Sequence, residues 1–245
     1  MNGDLVARTK RFAAEVDALV FSFDGYIYNP LDYAWEAHRT YLERYIHPHA
    51  EVLFLGMNPG PFGMAQTGVP FGEIRSVVSW LGINTPVGKP PREHPARAVV
   101  GFAIGRSEKS GERFWGLMQQ RFGTPEAFFA HHAVMNYCPL VFMDKGPTGR
   151  NVVPEALAKA ERIALEQVCD AYLADVIQYT QPRYLVGVGK YAQKKLEHLA
   201  ALEEPVETPR RSVLSILHPS PGNPQANAGW DVKVSDQLRE AHVWA

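Results

Sequence analysis

Two segments of the sequence place polar side chains on a backbone that is rich in glycine and proline. The first covers residues 56–72, GMNPGPFGMAQTGVPFG, with five glycines and three prolines in seventeen residues. Glycine lets a backbone approach a ligand closely, and proline restricts the backbone without an amide hydrogen bond. Loops beyond about 12–15 residues are mostly functional or disordered, and the two phenylalanines and two methionines argue against disorder. The segment therefore predicts a rigid pocket wall, with Asn58 as its first polar side chain.

The second segment covers residues 217–230, LHPSPGNPQANAGW, and contains three prolines, two asparagines, two glycines and one histidine. Asn58 and His218 are each weak signals alone, because asparagine is common in turns and a single histidine is mostly a packed or surface residue. Together the two loops indicate a functional site only if the fold brings them to one place.

The elements between these loops predict an α/β fold. The segments that predict strands are 51–56, 98–104, 133–137, 184–188 and 212–217. Helical patterns cover residues 8–20, 31–46, 73–81, 109–122, 125–131, 154–179, 190–200 and 232–241. The strands are rich in Val, Leu and Ile with little alternation, as expected of strands buried on both faces. Strands that alternate with helices predict a mostly parallel sheet covered on both sides.

Polar residues follow four of these strands. Ligands in folds of this kind bind beyond the carboxyl ends of the strands. The residues at or just beyond these ends are Met57, Asn58 and Gly60, then Asn136, then Gly189 and Lys190, and finally His218. Parallel strands bring all four ends to one edge of the sheet, so we expect these residues to converge from distant parts of the chain.

Length and composition predict one intracellular domain. No repeat, low-complexity tract or long linker interrupts the 245 residues, so we expect a single domain over 1–245 with an N-terminal helical extension at 1–25. No apolar run reaches the ~20 residues of a membrane helix, and the N-terminus lacks the apolar core of a secretion signal. Cys138 and Cys169 are too few for a disulfide framework and are expected to be buried thiols.

Charge and short motifs argue against several other classes of protein. The formal net charge of −1 gives no overall sign of a polyanionic partner, and the local basic groups are interpreted as solvated faces. These groups are Arg92, Arg97, Arg106, Lys109 and Arg113, then Lys190, Lys194 and Lys195, and then Arg210 and Arg211. The sequence has no phosphate-binding loop of the Walker type and no G-x-S-x-G turn, and its histidine pairs lack the spacing of a zinc site.

The two loops together closely resemble the two motifs of the single-strand-selective monofunctional uracil-DNA glycosylases, a branch of the uracil-DNA glycosylase superfamily. Supporting stretches are YNPLDYAWEAHRTYLERY (28–45), EHPARAVVGF (93–102), FWG (114–116), MNYCPL (135–140), GRNVVP (149–154) and VGVG (186–189). The resemblance spans residues 28–230. It implies a three-layer α/β/α sandwich around a mostly parallel four-stranded sheet. It also implies an enzyme that excises uracil and 5-substituted uracils, such as 5-hydroxymethyluracil, from single- and double-stranded DNA.

The resemblance also implies a role for individual residues. Asn58 would orient the hydrolytic water, and His218 would stabilise the departing base. The substrate-binding residues would be Met57, Gly60, Met64, Phe71 and Asn136. Among these, Asn136 would read the base edge, Phe71 would stack on the base, and Gly60 with Met64 would shape the space near the 5-position. The DNA-binding residues would be Pro219, Ser220, Pro221, Gly222, Asn223, Gln225 and Asn227 of the second loop, with Gly189 and Lys190.

The chemistry of uracil release fits these assignments. Uracil leaves as an anion, so a fixed donor such as His218 stabilises charge where it develops. Asn58 has no basic group, so we expect it to position water in a largely dissociative reaction of modest turnover. Asn136 carries a donor and an acceptor that match uracil O4 and N3–H, and we expect neighbouring hydrogen bonds to fix its amide. We expect no cofactor and no metal, and a monomer that acts in a DNA-containing compartment and also binds the abasic product.

One departure from the vertebrate pattern concerns duplex DNA. Vertebrate members have an arginine at the position of Gly222 and a lysine at that of Ala228. We therefore predict that duplex binding depends less on the loop tip and more on Asn223, Gln225 and Asn227. Two alternatives stay open: a superfamily relative specialised for mismatched uracil or for deaminated purines such as xanthine, and a catalytically silent lesion binder. The presence of both predicted catalytic residues argues against the silent binder.

Overall fold

A four-stranded parallel sheet organises the protein. The computed structural model describes residues 2–202 and 211–245, so Arg210 of the predicted basic groups lies outside the described residues. The strands are β1 Gly25–Tyr28, β2 Val52–Gly56, β3 His132–Asn136, β4 Val141–Asp144, β5 Asn151–Val152, β6 Tyr184–Val188 and β7 Ser212–Ile216. The parallel sheet has the order β3-β2-β6-β7, and a small antiparallel sheet has the order β1-β4-β5.

The parallel sheet confirms four of the five predicted strands to within one residue at each end. Its two central strands, β2 and β6, are buried at every position. Their sequences VLFLG and YLVGV are continuous apolar runs, as burial on both faces requires. The edge strand β7 is partly exposed and accordingly contains serine at two of its five positions.

Helices connect the strands and cover the sheet. They are α1 Asn2–Asp17, α2 Pro30–Tyr33, α3 Trp35–Tyr45, α4 Met64–Thr67, α5 Lys109–Phe122, α6 Pro125–Phe129, α7 Lys159–Thr180, α8 Lys190–Leu202 and α9 Trp230–Glu240. A π-helical turn covers Ser76–Trp80, and short 3-10 turns cover Gly101–Ala103, Pro154–Ala156 and Pro224–Asn227. Two helices begin as their sequences predict, with a polar cap before proline: Asn29 caps α2 and Thr124 caps α6.

The two faces of the sheet pack against different helices. A Cβ on Gly187 would lie 2.3 Å from the Gln193 amide nitrogen, so this face of β6 rests directly on α8. Leu55 of β2 pairs with Gly187 and therefore points to the same side. Phe54 points to the other side, where its ring meets Phe114 of α5 at 5.7 Å and Phe128 of α6 at 6.3 Å. These contacts confirm the predicted three-layer arrangement.

The predicted strand at 98–104 is wrong. Its backbone bonds to a buried side chain and joins neither sheet: Gln66 accepts from the Val100 and Gly101 N–H groups at 2.9 and 3.2 Å, and donates to the Ala98 carbonyl at 3.2 Å. Gly101 adopts a left-handed φ of 61°, which a strand does not allow. The sequence analysis also missed the small antiparallel sheet, whose strands have only two to four residues.

The N-terminal helix packs into the main core. The pattern at 8–20 predicts a later start than is observed, since α1 covers Asn2–Asp17. Phe12 of α1 stacks on Tyr172 of α7 at 4.0 Å, and Arg8 hydrogen-bonds Asp175 of the same helix.

Within the described ranges, no helix combines the length and apolar character needed to cross a membrane. Both cysteines are buried free thiols, as predicted.

Candidate active site at the carboxyl edge of the sheet

The carboxyl ends of the four parallel strands lie side by side, as the sequence analysis predicts. Gly56 at the end of β2 pairs with Asn136 at the end of β3, and the Cys138 N–H donates to the Met57 carbonyl at 2.9 Å. Across the sheet, the Gly189 N–H donates to the Ile216 carbonyl at 2.9 Å, two residues before His218. The ends of β2 and β7 are two strand spacings apart, or about 10 Å.

Asn58 lies just beyond β2 with its amide held in one direction. Its Nδ2 atom donates to the Leu140 carbonyl at 3.4 Å, and the side chain is half-buried. Because a carbonyl can only accept, this bond places the amide nitrogen on the protein side and leaves Oδ1 as the acceptor. An acceptor in this position can hold a water molecule but cannot remove a proton as a carboxylate would.

The first loop is held by buried polar groups. Besides its bonds to 98–101, the Gln66 amide donates to the Pro61 carbonyl at 3.2 Å. His38 of α3 bonds the Gly68 carbonyl through Nδ1 at 2.7 Å, and burial lowers its pKa to about 4, so it is neutral and donates. These side chains bond backbone groups of a loop that makes few backbone–backbone hydrogen bonds. They therefore hold the loop in one conformation although it has little regular secondary structure.

Gly60 packs against a half-buried carboxylate, that of Glu108, for which the sequence analysis made no prediction. A Cβ on Gly60 would lie 2.5 Å from Oε2 of Glu108, and one on Gly63 would lie 2.9 Å from its Cγ. The same Oε2 accepts from the Phe62 N–H at 3.3 Å, and burial raises the pKa of Glu108. The absence of a side chain at Gly60 therefore makes room for Glu108, whereas the resemblance relates Gly60 only to the 5-position of the base.

Phe71 and Asn136 meet above Gly56. A Cβ on Gly56 would lie 2.2 Å from Oδ1 of Asn136 and 2.8 Å from Cζ of Phe71, so only glycine allows both groups here. Phe114 stacks on one face of the Phe71 ring at 4.4 Å, which leaves the opposite face for a flat ligand. Phe71 has a left-handed φ of 52°, an unusual conformation for a bulky residue and one that occurs mainly at functional sites.

The amide of Asn136 contacts the sulfur of Met64. Its Nδ2 atom lies 3.2 Å from Met64 Sδ, and Met64 is buried. A thioether accepts but cannot donate, so the contact favours the amide nitrogen on this side. Of the hydrogen bonds predicted to fix this amide, the structure thus shows one weak bond, and Oδ1 lies over Gly56.

His218 is held by its own loop. Nδ1 accepts from the Ser220 N–H at 3.1 Å, and burial lowers the pKa of the imidazole. A neutral ring that accepts at Nδ1 carries its proton on Nε2, which makes Nε2 a donor. Gly189 lies directly against the ring, since a Cβ there would be 3.2 Å from both Cβ and Cδ2 of His218.

The second loop uses most of its polar side chains internally. Asn223 accepts from the Gln225 N–H at 3.2 Å and donates to the His218 carbonyl at 3.4 Å. Asn227 accepts from Arg113 at 2.8 Å and donates to the Pro221 carbonyl at 3.0 Å. The amides of Asn223 and Asn227 therefore hold the loop in its conformation. Of the three residues expected to support duplex binding, Gln225 is the exposed one whose side chain takes no part in these loop bonds.

The rest of the predicted DNA-binding set lies on or beside the exposed part of this loop. Pro221 and Gly222 are exposed at its tip, whereas Pro219 is buried beneath it. The Ser220 hydroxyl accepts from the Gly222 N–H at 3.1 Å. Lys190 is exposed and contacts Gln193 at 3.2 Å and Ser215 at 3.4 Å.

Helix α5 connects the two loops, and no sequence signal indicated this. Arg113 donates from Nη1 to the Pro219 carbonyl and from Nη2 to Asn227, both at 2.8 Å. The next residue, Phe114, supports Phe71. A Cβ on Gly111 would lie 2.1 Å from the Phe71 carbonyl oxygen, so the helix packs directly on the first loop. Of the missed residues, only Gly56 had a signal, as a glycine ending an otherwise apolar strand.

No metal-ligand cluster is present in the part of the chain that the structure describes: no three His, Cys, Asp or Glu side chains are grouped to hold an ion.

Comparisons with known proteins identify the family and agree with the fold. A family model described as "Uracil DNA glycosylase superfamily" matches residues 43–240. The single-strand selective monofunctional uracil DNA glycosylase of Mus musculus is 49% identical over 232 residues, which cover 94% of this chain and 81% of that protein. The protein of the same name from Bos taurus is 48% identical, over 94% of this chain and 83% of that protein. A crystal structure of wild-type SMUG2 from Pedobacter heparinus matches with a TM-score of 0.66 and 17% sequence identity, over 98% of this chain and 97% of that one, which indicates a shared fold.

Proposed function

This chain belongs to the single-strand-selective monofunctional uracil-DNA glycosylase family of the uracil DNA glycosylase superfamily, and we propose that it hydrolyses the N-glycosidic bond of uracil in DNA. The product is an abasic site with an intact backbone, the first intermediate of base excision repair. The observation that carries the proposal is the convergence of Asn58, Asn136 and His218 at one edge of the sheet.

Asn58 is proposed to hold the water that attacks the sugar. Its amide nitrogen is engaged with the Leu140 carbonyl, so Oδ1 accepts a hydrogen bond from the water. An amide is too weak a base to deprotonate that water, and the bond to uracil must therefore break largely before the water adds. The absence of a general base, which commonly contributes ~10²–10⁴-fold, predicts a modest turnover rate.

His218 is proposed to donate from Nε2 to O2 of the departing uracil. The bond from Ser220 to Nδ1 and the lowered pKa support a neutral ring with this proton in place. A donor aimed at the atom that becomes charged stabilises the transition state more than the ground state. Removal of one such donor typically costs ~3–4 kcal/mol of transition-state stabilisation.

Asn136 and Phe71 are proposed to bind the base itself. The amide would donate to uracil O4 and accept from N3–H, a pattern that cytosine reverses. The free face of the Phe71 ring would stack on the base. We propose that 5-substituted uracils such as 5-hydroxymethyluracil are also accepted, because the neighbouring Met64 is a flexible thioether that can adapt to a substituent.

The protein is proposed to extrude uracil from both single and double strands. Extrusion from a duplex costs a few kcal/mol and least from unpaired DNA. The exposed tip of the second loop, Pro221 and Gly222, is the segment proposed to enter the stack. One chain carries both loops, which supports action as a monomer, and the substrate implies an intracellular compartment that contains DNA.

The test uses labelled oligonucleotides that contain one uracil, 5-hydroxymethyluracil or xanthine, each single-stranded or in a duplex. The expected result is alkali-dependent cleavage at uracil and 5-hydroxymethyluracil, with no strand cleavage before alkali. Release of xanthine or mismatched uracil alone would favour the alternative lesion specificity. Binding without alkali-sensitive product on every substrate would overturn the proposal in favour of a silent lesion binder.

A further inference from the structure

Two guanidinium groups lie against one aromatic ring beside the first loop. The Cζ atom of Arg97 lies 4.4 Å from the centroid of the Phe62 ring, and that of Arg106 lies 4.0 Å from it. An aromatic face attracts cations, so the half-buried ring of Phe62 keeps both charges in defined positions. Phe62 belongs to the first loop with Asn58, and its N–H donates to Glu108, which packs against Gly60 of the same loop.

This arrangement concentrates positive charge that the protein offsets only in part. Arg97 uses Nε to donate to the Gly149 carbonyl at 3.0 Å, and no carboxylate in the described ranges forms an ion pair with either guanidinium. The pKa of Arg97 is lowered by burial and by the charge of Arg106. The nearby carboxylate is that of the half-buried Glu108, which interacts with both guanidinium charges, so one negative charge faces two positive charges. Two repelling cations held together in this way favour an external anion.

The second loop has no cation of its own that could bind a phosphate of the DNA. Residues 217–230 contain no lysine or arginine, so the loop proposed to enter the DNA cannot neutralise a phosphate itself. Arg113 beneath it is already bonded to Pro219 and Asn227. Phosphate neutralisation nevertheless supplies much of the affinity of DNA-binding proteins. The cations that hold the backbone must therefore lie elsewhere around the site.

We propose that Arg97, Phe62 and Arg106 form a second DNA-binding site, which holds a backbone phosphate next to the extruded nucleotide. Arg106 is exposed and supplies the principal contact, since a guanidinium can bind a phosphate through two parallel hydrogen bonds. Arg97 adds charge from its fixed position on Gly149. The sequence analysis interpreted both arginines as parts of a solvated face.

The test compares Arg106→Gln with Arg11→Gln, which removes the same charge from an exposed position on α1. The probe is a labelled oligonucleotide with a stable tetrahydrofuran abasic site, titrated between about 50 and 200 mM salt. For Arg106→Gln we expect a Kd about tenfold higher at low salt. The slope of log Kd against log salt should fall by about 0.7 on single strands and about 0.9 on duplex DNA. Arg106→Lys, which keeps the charge, should keep the slope.

Arg11→Gln should match the wild type in both Kd and slope. An unchanged slope in Arg106→Gln, or an equal loss in both glutamine variants, would overturn the proposal. A melting temperature equal to that of the wild type checks that Arg106→Gln is folded. The inference rests on the proposed function, but the two fail separately: an enzyme that releases no uracil could still show the salt effect, and an active enzyme could lack it.

Discussion

The Nδ1 atom of His218 accepts a hydrogen bond from the backbone N–H of Ser220 at 3.1 Å. This bond lies within a single turn, yet it determines which ring nitrogen carries the proton at neutral pH. It also opposes protonation, because a proton on Nδ1 would remove the acceptor and leave the Ser220 N–H without its partner. Burial acts in the same direction and lowers the pKa of the ring below its ordinary 6.5.

A first prediction concerns the acid side of the pH profile. Since the pKa of His218 is below 6.5, the neutral ring persists as the pH falls through that value and is lost only at lower pH. The acid-side decline of single-turnover kcat/KM on uracil-containing DNA should therefore have its midpoint below pH 6.5, because protonation at Nδ1 breaks the Ser220 bond that orients the ring. His218→Gln should be slow at every pH and lack this decline. A decline centred above pH 6.5 in the wild type would contradict the assignment.

A second prediction concerns the water held by Asn58. Asn58→Ala removes the acceptor but leaves the base and backbone contacts, so turnover should fall about 10²-fold, as for a misplaced reactant. Its Kd for abasic DNA should stay at the wild-type value. Asn58→Asp is the matched variant: its carboxylate would face the Leu140 carbonyl, two acceptors without a proton between them, and should not restore turnover. Wild-type turnover in Asn58→Ala would disprove the role.

A third prediction concerns Gly60 and Glu108. Gly60→Ala puts a methyl group 2.5 Å from Oε2 of Glu108, so either the carboxylate swings away and releases the Phe62 N–H or the loop that carries Asn58 shifts, and excision should slow. Glu108→Ala should restore part of the loss when combined with Gly60→Ala, with a coupling energy of about 0.5–3 kcal/mol. Rates of the four proteins in a double-mutant cycle measure this coupling. Strict additivity would show that the residues do not interact through this contact.

A fourth prediction concerns Arg113 as a positioning residue for the second loop. Arg113→Ala removes two hydrogen bonds from a charged donor, each worth about 1.5–3 kcal/mol, so kcat should fall by about tenfold or more. The backbone amides of residues 219–229 should also exchange hydrogen faster. Arg121→Ala is the control, because Arg121 lies on the same helix and donates to Ala245 at 2.8 Å, away from the loop. Equal effects of both variants would indicate general destabilisation of α5.

A fifth prediction concerns the loop tip. The nearest atom to a Cβ on Gly222 is Ser220 Oγ at 3.5 Å, an ordinary contact, so a side chain fits there without strain. Gly222→Arg should increase kcat/KM on duplex uracil DNA more than on single strands, because it adds both a wedge and a phosphate contact. Gly222→Gln adds length without charge and separates the two effects. Unchanged duplex excision in Gly222→Arg would refute the idea that this tip limits duplex binding.

The sequence was most informative where local rules suffice. Proline after Asn29 and after Thr124 marked two helix starts, and short segments rich in Val, Leu and Ile marked the four parallel strands. The sequence was least informative where a side chain distant in sequence makes the backbone hydrogen bonds that a neighbouring strand would otherwise make. Residues 98–104 have the composition of a strand, but the amide of Gln66 takes the backbone bonds that a neighbouring strand would have made.

In the candidate site, too, some residues could be predicted from the sequence and others could not. The types of Asn58, Asn136 and His218, and their places after strands, could be predicted because parallel strands must bring their carboxyl ends to one edge. The groups that orient them could not, since Leu140, Glu108 and Arg113 act through contacts between residues 46 to 114 positions apart. The sequence by itself thus determined which chemistry is available. Only the tertiary structure decided which atom of each side chain faces the substrate, because packing and hydrogen bonds from remote elements select one orientation among several that the local chain allows.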